Sequence, residues 1–459
     1  MDDALASGSP ALPSAALYPA TAILALMIAV VIFKTRSTAA KFVIFACWFR
    51  YMFAAFHQFS FSGSPVGISY NALASILICL LGFAVLDLRR IFTVFYVPIG
   101  LMVLLITLSG LVNAQYGGIS STVAKFGYLT VVCAGVAEAI RDLGENRFLK
   151  LLLWSFVTPF LLQFLSVVFG IAKASEADGS ASYIGGYYHE AVFSITLATC
   201  LLVTVMVERI SRPLKVFLVA ISIAGIVLAN YRTTILAMAP LILVQVATGV
   251  PRQFRRKQRA IIFVAIGVVL VIASAASILL ERERFDDLAY VWNNAAHLIK
   301  PLQDFSADDK RVLSGRIYLW SEYVYGYIGG NDIQHIIGFG PDHWENSFSM
   351  YAHNTLISYL YEYGILGVCA ILFLWGWMLR LAFRARGAHR GKLISAHLSF
   401  FILNMATMPH WQIEGNILYG ILCGYTIAKV ARRPTRVAVQ RPGKEHDHVP
   451  IYGAPTSRA

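Results

Sequence analysis

Residues 352–380 read AHNTLISYLYEYGILGVCAILFLWGWMLR. From Gly364 to Leu379 every residue is apolar or glycine, and a helix that crosses a hydrocarbon core needs about 20 such residues in a row. The His353–Asn354 pair lies where a long hydrophilic segment runs into this apolar helix. The stretch therefore predicts a membrane helix with a titratable side chain at its entrance.

The whole chain has the composition of this stretch. Of its 459 residues, 58% are hydrophobic and only 14% are charged, and the mean hydropathy is +0.64. A soluble domain of this length does not have such a composition, so we predict an all-α polytopic membrane protein with about 12–13 transmembrane helices. The predicted spans are 15–33, 42–59, 71–86, 91–113, 121–140, 151–172, 191–207, 216–230, 235–250, 260–280, 362–380, 393–408 and 416–430.

The connections between these spans alternate between basic and nearly uncharged. Most of the 38 Lys and Arg residues lie in every second connection and in the tail. Because basic loops stay in the cytoplasm, the N-terminus is predicted outside and the C-terminus inside. The net charge of +13 then reflects topology and contact with anionic membrane lipid, and no nucleic-acid partner is predicted.

Four regions follow from this pattern. They are an N-terminal bundle of about ten helices (1–280), an extracytoplasmic loop (281–353), C-terminal transmembrane helices (354–430) and a disordered cytoplasmic tail (431–459). Long loops without structure of their own are uncommon and tend to be functional. We therefore expect the loop to fold into a small cap that carries short helices.

Two arginines at the outer boundary are candidate catalytic residues. Arg232 follows Tyr231 between two apolar spans, and Arg316 lies in the loop, four residues before Trp320. An arginine at a membrane boundary marks a functional site when it pairs or faces water, and its fork suits phosphate. Ser314 is placed to cap a short helix that would put Arg316 and Trp320 on one face. The alternatives are a snorkelling arginine at 232 and an ordinary surface arginine at 316.

His353 is the candidate for proton transfer, because histidine takes or holds a proton near neutral pH. The alternative is a structural residue at a helix start, with Asn354 as the cap. Glu362 follows nine residues later, about two and a half helical turns, and cannot reach His353 along one helix face. We expect Glu362 to pair with an arginine or to form hydrogen bonds deeper in the bundle.

Two further boundary clusters are candidates for substrate binding, together with Asn354, Trp320 and Glu362. The first contains Tyr188 and His189, and the second contains His410. Interfacial anchoring by aromatic residues explains part of both clusters. The eleven histidines show no ligand spacing on a helix, and the six cysteines are scattered singly in apolar spans, so no metal site, cofactor or disulfide is predicted.

Three motifs on one predicted membrane side resemble those of the bacterial O-antigen ligase and O-antigen polymerase family. Tyr231-Arg232-Thr233 resembles an element that opens a membrane helix. Gly315-Arg316 with Trp320 resembles the Gly-Arg-x-x-x-Trp element of the large periplasmic loop. The third element, which closes that loop in the family, corresponds to His353-Asn354, Leu356, Glu362, Gly364 and Gly367. Tyr188-His189-Glu190 resembles a further element only loosely, since the Asn-Pro usual there is absent.

The resemblance implies a C-type glycosyltransferase (GT-C) fold in the bacterial inner membrane, with a metal-independent active site on the periplasmic side. The donor would be a glycan on undecaprenyl pyrophosphate, and the acceptor either lipid A–core or another lipid-linked glycan. Arg232 and Arg316 would hold the pyrophosphate, and His353 would position or deprotonate the acceptor hydroxyl. Other polysaccharide-assembly proteins are possible partners.

A transporter or a flippase of lipid-linked oligosaccharide is the alternative. A transporter would use Arg50 and Lys125, which lie inside apolar spans, to line a substrate path. It predicts pairs of Gly- or Pro-broken helices in matching halves, which are not evident in the sequence. A flippase would share the arginines but would not need His353.

Overall fold

The computed structural model describes residues 10–65, 67–174, 181–249, 258, 290–291, 298–306 and 309–431, and it is almost entirely helical. Six of the described helices are long and apolar enough to cross a membrane: Ser14–Lys34, Thr38–Ser60, Val94–Val112, Tyr116–Leu143, Glu145–Val168 and Thr355–Arg384. Three shorter helices are also apolar, namely Tyr70–Val85, Glu190–Met206 and Arg232–Thr248. The chain is therefore an all-α polytopic protein, as predicted.

The α-helices of six or more residues are numbered in chain order. They are α1 Ser14–Lys34, α2 Thr38–Phe53, α3 Tyr70–Val85, α4 Val97–Val112, α5 Tyr116–Leu143, α6 Glu145–Leu152, α7 Val157–Val168, α8 Glu190–Met206, α9 Arg212–Leu228, α10 Arg232–Gly249, α11 Arg316–Ile328, α12 Asp332–Ile337, α13 Thr355–Arg384, α14 Ala388–Ala406 and α15 Ile413–Ala431. Two short antiparallel strands, β1 Lys173–Ala174 and β2 Ala181–Ser182, precede α8. Every predicted span coincides with helical residues except 260–280, which lies outside the described residues, as does the predicted tail beyond Ala431.

Helix α15 is the centre of the bundle. All of its residues from Ile413 to Ala428 are buried, and it packs along α5. Gly420 and Gly424 make the close approach possible, because a Cβ on either would meet Val132 or the Cys133 carbonyl of α5. Small residues four apart bring membrane helices together in this way.

Helix α13 is broken at Gly364, where φ is +62° and ψ is −162°. The break leaves the Tyr361 and Glu362 carbonyls without their helical donors. The loop after α12 replaces these donors, since the Phe339 and Gly340 amides donate to the two carbonyls at 3.0 and 2.9 Å. The Glu-x-Gly motif thus marks an interrupted membrane helix. A broken helix of this kind was expected only for a transporter, and the sequence analysis did not detect it.

The described part of the predicted loop forms a cap on α13. Helices α11 and α12 pack against α13 through a cluster of aromatic side chains that includes Tyr323, Trp344 and Tyr361. The prediction that the Ser314 side chain caps the start of α11 is wrong. Gly315, not Ser314, precedes the helix in a left-handed conformation with φ of +80°, without a side-chain capping bond. Glycine adopts this conformation without steric cost.

The connections predicted on opposite sides of the membrane gather at opposite ends of the bundle. Residues from 61–76, 117–125, 342–345 and 411–413 meet around one cavity. At the other end, Glu145, Glu208, His389, Lys392 and Lys429 form a network of ion pairs. This grouping is the one expected from the charge alternation, and the compartment that each end faces stays a prediction.

Replacing Gly338 with alanine is expected to destabilise the protein by about 1–3 kcal/mol, the usual cost of overpacking. Its φ is +75°, and a Cβ there would meet the Glu362 carbonyl group at the break in α13. The check is the melting temperature of purified protein in detergent. Gly376→Ala is the control, because nothing lies within 4 Å of its added Cβ. Equal melting temperatures for the two variants would contradict this account of the break.

Candidate functional site

His353 lies in the connection between the cap and α13, in a conformation that few side chains adopt. Its φ is +52°, in the left-handed region where His, Asn and Asp are enriched among non-glycine residues. The Trp320 indole nitrogen donates to the Ala352 carbonyl at 2.9 Å, which ties α11 to this connection. Arg316 lies one helical turn before Trp320 and on the same face. The contact therefore brings Arg316 towards His353.

The surroundings of His353 keep its imidazole neutral. Burial, the positive charge of Arg316 and the proximity of His189 together lower its pKa from 6.5 to about 3. Its Nδ1 atom is enclosed and has no hydrogen-bond partner among the described residues. A buried nitrogen without a partner is uncommon in proteins. A neutral imidazole with an unused nitrogen is able to accept a proton from a substrate hydroxyl.

His189 joins this cluster from the bundle side. Its Nδ1 accepts a hydrogen bond from the Ala191 amide at 3.0 Å and so caps α8. Its Nε2 therefore carries the proton in the neutral ring, and faces the Tyr351 hydroxyl at 3.4 Å. The Tyr351 ring in turn lies 4.0 Å from the His353 ring, centroid to centroid. Burial lowers the pKa of His189 to about 4, against the opposing charge of Glu190.

Arg232 begins α10 at the edge of this cluster. Its neighbour Tyr231 lies within electrostatic range of Arg316 and Glu190, and burial raises the pKa of Tyr231 to about 12. Thr234, in the same first turn of α10, shares a hydrogen bond of 2.8 Å with Ser194 of α8. Arg232 itself is exposed. The structure thus groups Arg316 with His353 and relates Arg232 to them only through its neighbour Tyr231. The convergence of all three on one cavity stays a prediction.

Two of the predicted substrate-binding side chains have their polar groups engaged within the protein. Asn354 caps α13, because its Oδ1 accepts from the amides of the first helical turn and its Nδ2 donates to the Met405 carbonyl. The His410 Nε2 accepts from the Trp375 indole at 3.3 Å, and its Nδ1 lies 3.0 Å from Asn416 Oδ1. Both residues hold local structure in this arrangement.

Glu362 is buried in α13, and of its two expected environments the described residues show a hydrogen bond inside the bundle and no arginine partner. Its Oε2 is 3.5 Å from the Ser358 hydroxyl, and its Oε1 has no hydrogen-bond partner among the described residues. It lines a small polar cavity that also contains Lys125 and Asp342. A buried pair of an arginine and a glutamate does form elsewhere in the bundle.

That pair joins Arg50 of α2 to Glu414 of α15. The guanidinium donates two hydrogen bonds to the carboxylate, from Nε to Oε1 at 2.6 Å and from Nη2 to Oε2 at 3.3 Å. It also donates to Asn71. The sequence analysis considered Arg50 only as part of a transport path. Its partner is 364 positions away, and no local pattern in the sequence indicates such a pair.

A cavity at this end of the bundle has a volume of about 390 Å³. Arg50 and Lys125 contribute cations to its lining. Lys125 lies 3.9 Å from the Asp342 carboxylate and 5.6 Å above the Trp411 ring. Tyr188, one of the predicted substrate-binding residues, also lines this cavity.

A wall of aromatic rings separates this cavity from the His353 cluster. Trp411 lines the cavity on one side and stacks on Tyr351 at 5.0 Å on the other. Tyr188 likewise lines the cavity, and the next residue, His189, belongs to the cluster. The cavity and the cluster are therefore adjacent, two ring contacts apart along Trp411, Tyr351 and His353.

One group of side chains at the opposite end has the geometry of a metal site. Glu145, Glu208 and His389 bring three ligand atoms within 4.8 Å of one another. The Lys429 ammonium binds Glu145 and lies 3.0 Å from His389 Nε2. A cation would have to displace this lysine, so the arrangement fits an ion-pair network better than a metal centre.

Comparisons of the chain with models of known protein families and with curated proteins found no match.

Proposed function

We propose that this protein is a membrane glycosyltransferase. It would move a glycan from undecaprenyl pyrophosphate to an acceptor hydroxyl at the periplasmic face of the bacterial inner membrane, as an O-antigen or exopolysaccharide polymerase or an O-antigen ligase. The observation that carries the proposal is the proximity of Arg316 to a neutral His353. The two belong to separate motifs 37 positions apart, and each supplies a group that this chemistry needs.

The reaction needs a proton acceptor and a fixed positive charge. The acceptor oxygen attacks the anomeric carbon, the bond from that carbon to the pyrophosphate oxygen breaks, and the hydroxyl proton passes to His353. Negative charge grows on the departing pyrophosphate. A preorganised arginine stabilises such charge strongly in an enclosed site, and Arg316 has this role in the proposal, with Arg232 as the second candidate.

The same features explain why the cluster suits a pyrophosphate donor. The pyrophosphate leaving group is already activated, so the step needs no nucleotide. The planar Arg316 guanidinium can bind two phosphate oxygens through two parallel hydrogen bonds, whereas an ammonium group acts as a point charge without this fixed geometry. The cluster also lies before α8, α10 and α13, where their amino-terminal ends favour anions.

A flippase or transporter is the second candidate. The break in α13 at Gly364 and the polar cavity that contains Arg50 favour it, because transporters bind substrates at interrupted helices. The two functions differ in their need for His353. Movement of a lipid-linked glycan involves no proton transfer from an acceptor hydroxyl, whereas the proposed glycosyl transfer does.

The test is a strain that lacks the gene and carries Arg316→Ala. We expect transfer to fall about a hundredfold or more, the usual loss when one such donor is removed. Arg316→Lys should recover only part of it, since a point charge does not replace the guanidinium fork. The measurement is the profile of surface glycan at matched protein level.

Arg89→Ala is the matched control, because Arg89 is an exposed arginine in a connection predicted to face the cytoplasm. A wild-type glycan profile from Arg316→Ala would overturn the proposal. Short unpolymerised glycan in the deletion strain would identify a polymerase. Full-length glycan that stays on the lipid carrier would identify a ligase.

A further inference from the structure

We infer that the cavity of about 390 Å³ is a subsite for uncharged sugar rings of the glycan. It lies across the aromatic wall from the Arg316–His353 cluster. In the proposed transfer this subsite would hold the glycan next to the reacting groups, and that role rests on the proposed function. The binding of sugar in the cavity is a separate claim that stands on the cavity itself.

The size and the lining of the cavity suit a saccharide. Small-molecule sites commonly measure about 300–1,000 Å³, so this one is at the lower end, about right for one or two rings. Hydroxyl and amide side chains line it from three parts of the chain: Ser69, Asn71, Ser75, Ser120, Ser121 and Gln412. Such groups exchange hydrogen bonds with sugar hydroxyls. Ser69, Asn71, Ser75 and Ser120 each form one hydrogen bond within the protein, and a sugar would use the donors and acceptors that remain.

One of these groups lacks a partner. Gln412 is 8% exposed, and its Oε1 atom has no hydrogen bond among the described residues. Leaving a buried acceptor unsatisfied costs about 1–3 kcal/mol. The Oε1 atom is enclosed by protein atoms, so the Gln412 side chain, which lines the cavity, would have to turn for a sugar hydroxyl to donate to this oxygen. Gln412 thus supplies an acceptor that the described residues leave unused.

The charges of the cavity indicate that the ligand is neutral. Arg50 is paired with Glu414 through two hydrogen bonds, and Lys125 lies next to Asp342. Each cation thus faces a carboxylate of this chain, and an acidic sugar would have to compete with it. In the proposed function the pyrophosphate instead binds at the cluster around Arg316; Lys173, on that side, is itself paired with Glu190 at 3.3 Å.

The experiment is equilibrium dialysis of purified full-length protein with three radiolabelled neutral trisaccharides, maltotriose, mannotriose and triacetylchitotriose, and with trigalacturonate. We expect at least one neutral trisaccharide to bind with one site per chain, and trigalacturonate to bind more weakly. Ala72→Phe fills the cavity, since Ala72 lines it, and should weaken binding at least tenfold. Ala74→Phe is the matched control, because Ala74 is on the same helix but not in the lining.

The outcomes separate this inference from the proposed function. Absence of binding by all three neutral sugars, preference for trigalacturonate, or equal binding by Ala72→Phe and wild type would overturn the inference. Arg316→Ala should bind the trisaccharide as the wild type does. If Arg316→Ala also transferred glycan normally while Ala72→Phe lost sugar binding, the proposed function would fail and the sugar site would stand.

Discussion

His353→Asn is expected to lower glycan transfer by about a hundredfold or more and to leave the amount and the melting temperature of the protein unchanged. General bases contribute about 10²–10⁴-fold to rates, and His353 is the neutral imidazole in the cluster with an unpaired nitrogen. Asparagine is the informative replacement because it tolerates the left-handed backbone that His353 adopts, with φ of +52°. If His353 were needed only for that turn, asparagine would serve as well.

The pH dependence of the reaction tests the same role. In the free protein, burial, Arg316 and His189 hold the pKa of His353 at about 3. A bound pyrophosphate would oppose the field of Arg316, so the pKa rises towards the ordinary 6.5. Since a base acts only when neutral, the rate falls as the pH drops through this pKa. The acidic limb of kcat, which reports the complex, should therefore lie at higher pH than that of kcat/KM, which reports the free enzyme.

A second histidine variant in the same cap tests whether the loss of transfer is specific to His353. His335 packs on Tyr327 and lies 3.3 Å from the Ile328 carbonyl, away from Arg316. His335→Ala should leave both the rate and the pH profile as in the wild type. Normal transfer by His353→Asn, with its acidic limb in place, would rule out proton transfer by His353.

Most of the helices could be predicted because apolar runs of membrane length are a local signal. The run around Gly364 shows the limit of that signal. Hydropathy is continuous across residues 364–379, so the sequence does not reveal that α13 is broken there. The break depends on amide donors from Phe339 and Gly340, and that replacement is a property of the tertiary fold.

The candidate site was predictable where spacing carries the information. Arg316 and Trp320 are four apart on a helix, and the Trp320–Ala352 hydrogen bond joins their face to the residue before His353. The prediction that Ser314 caps α11 was wrong, because the choice between Ser314 and Gly315 depends on backbone conformation. The cavity was missed, since its lining comes from segments more than 300 residues apart that only the folded bundle assembles.

Breaking the ion pair between Arg50 and Glu414 is expected to have the largest effect on stability. The Glu414 side chain is fully buried and that of Arg50 is 6% exposed. Glu414→Ala leaves a buried guanidinium that lines the cavity, with Asn71 as its one remaining side-chain acceptor among the described residues. Removing one partner of a buried pair costs about 3–5 kcal/mol, and the melting temperature of purified protein measures the loss.

Two further variants test whether the Arg50–Glu414 pair serves stability or ligand binding. Glu138→Ala is the control, since Glu138 pairs with the partly exposed Arg90 at 3.3 Å and such pairs are worth about 0–1 kcal/mol. The double variant Arg50→Leu with Glu414→Met removes both charges, and replacing a buried pair by apolar residues is often neutral or stabilising. It should melt well above Glu414→Ala. Because it also removes the Arg50 guanidinium from the cavity, normal stability with weakened trisaccharide binding would assign the pair to the sugar subsite. Equal melting temperatures of the double variant and Glu414→Ala would show instead that the bundle needs the ion pair itself. The pair, with the hydrogen bond from Arg50 to Asn71, would then hold α2, α3 and α15 together.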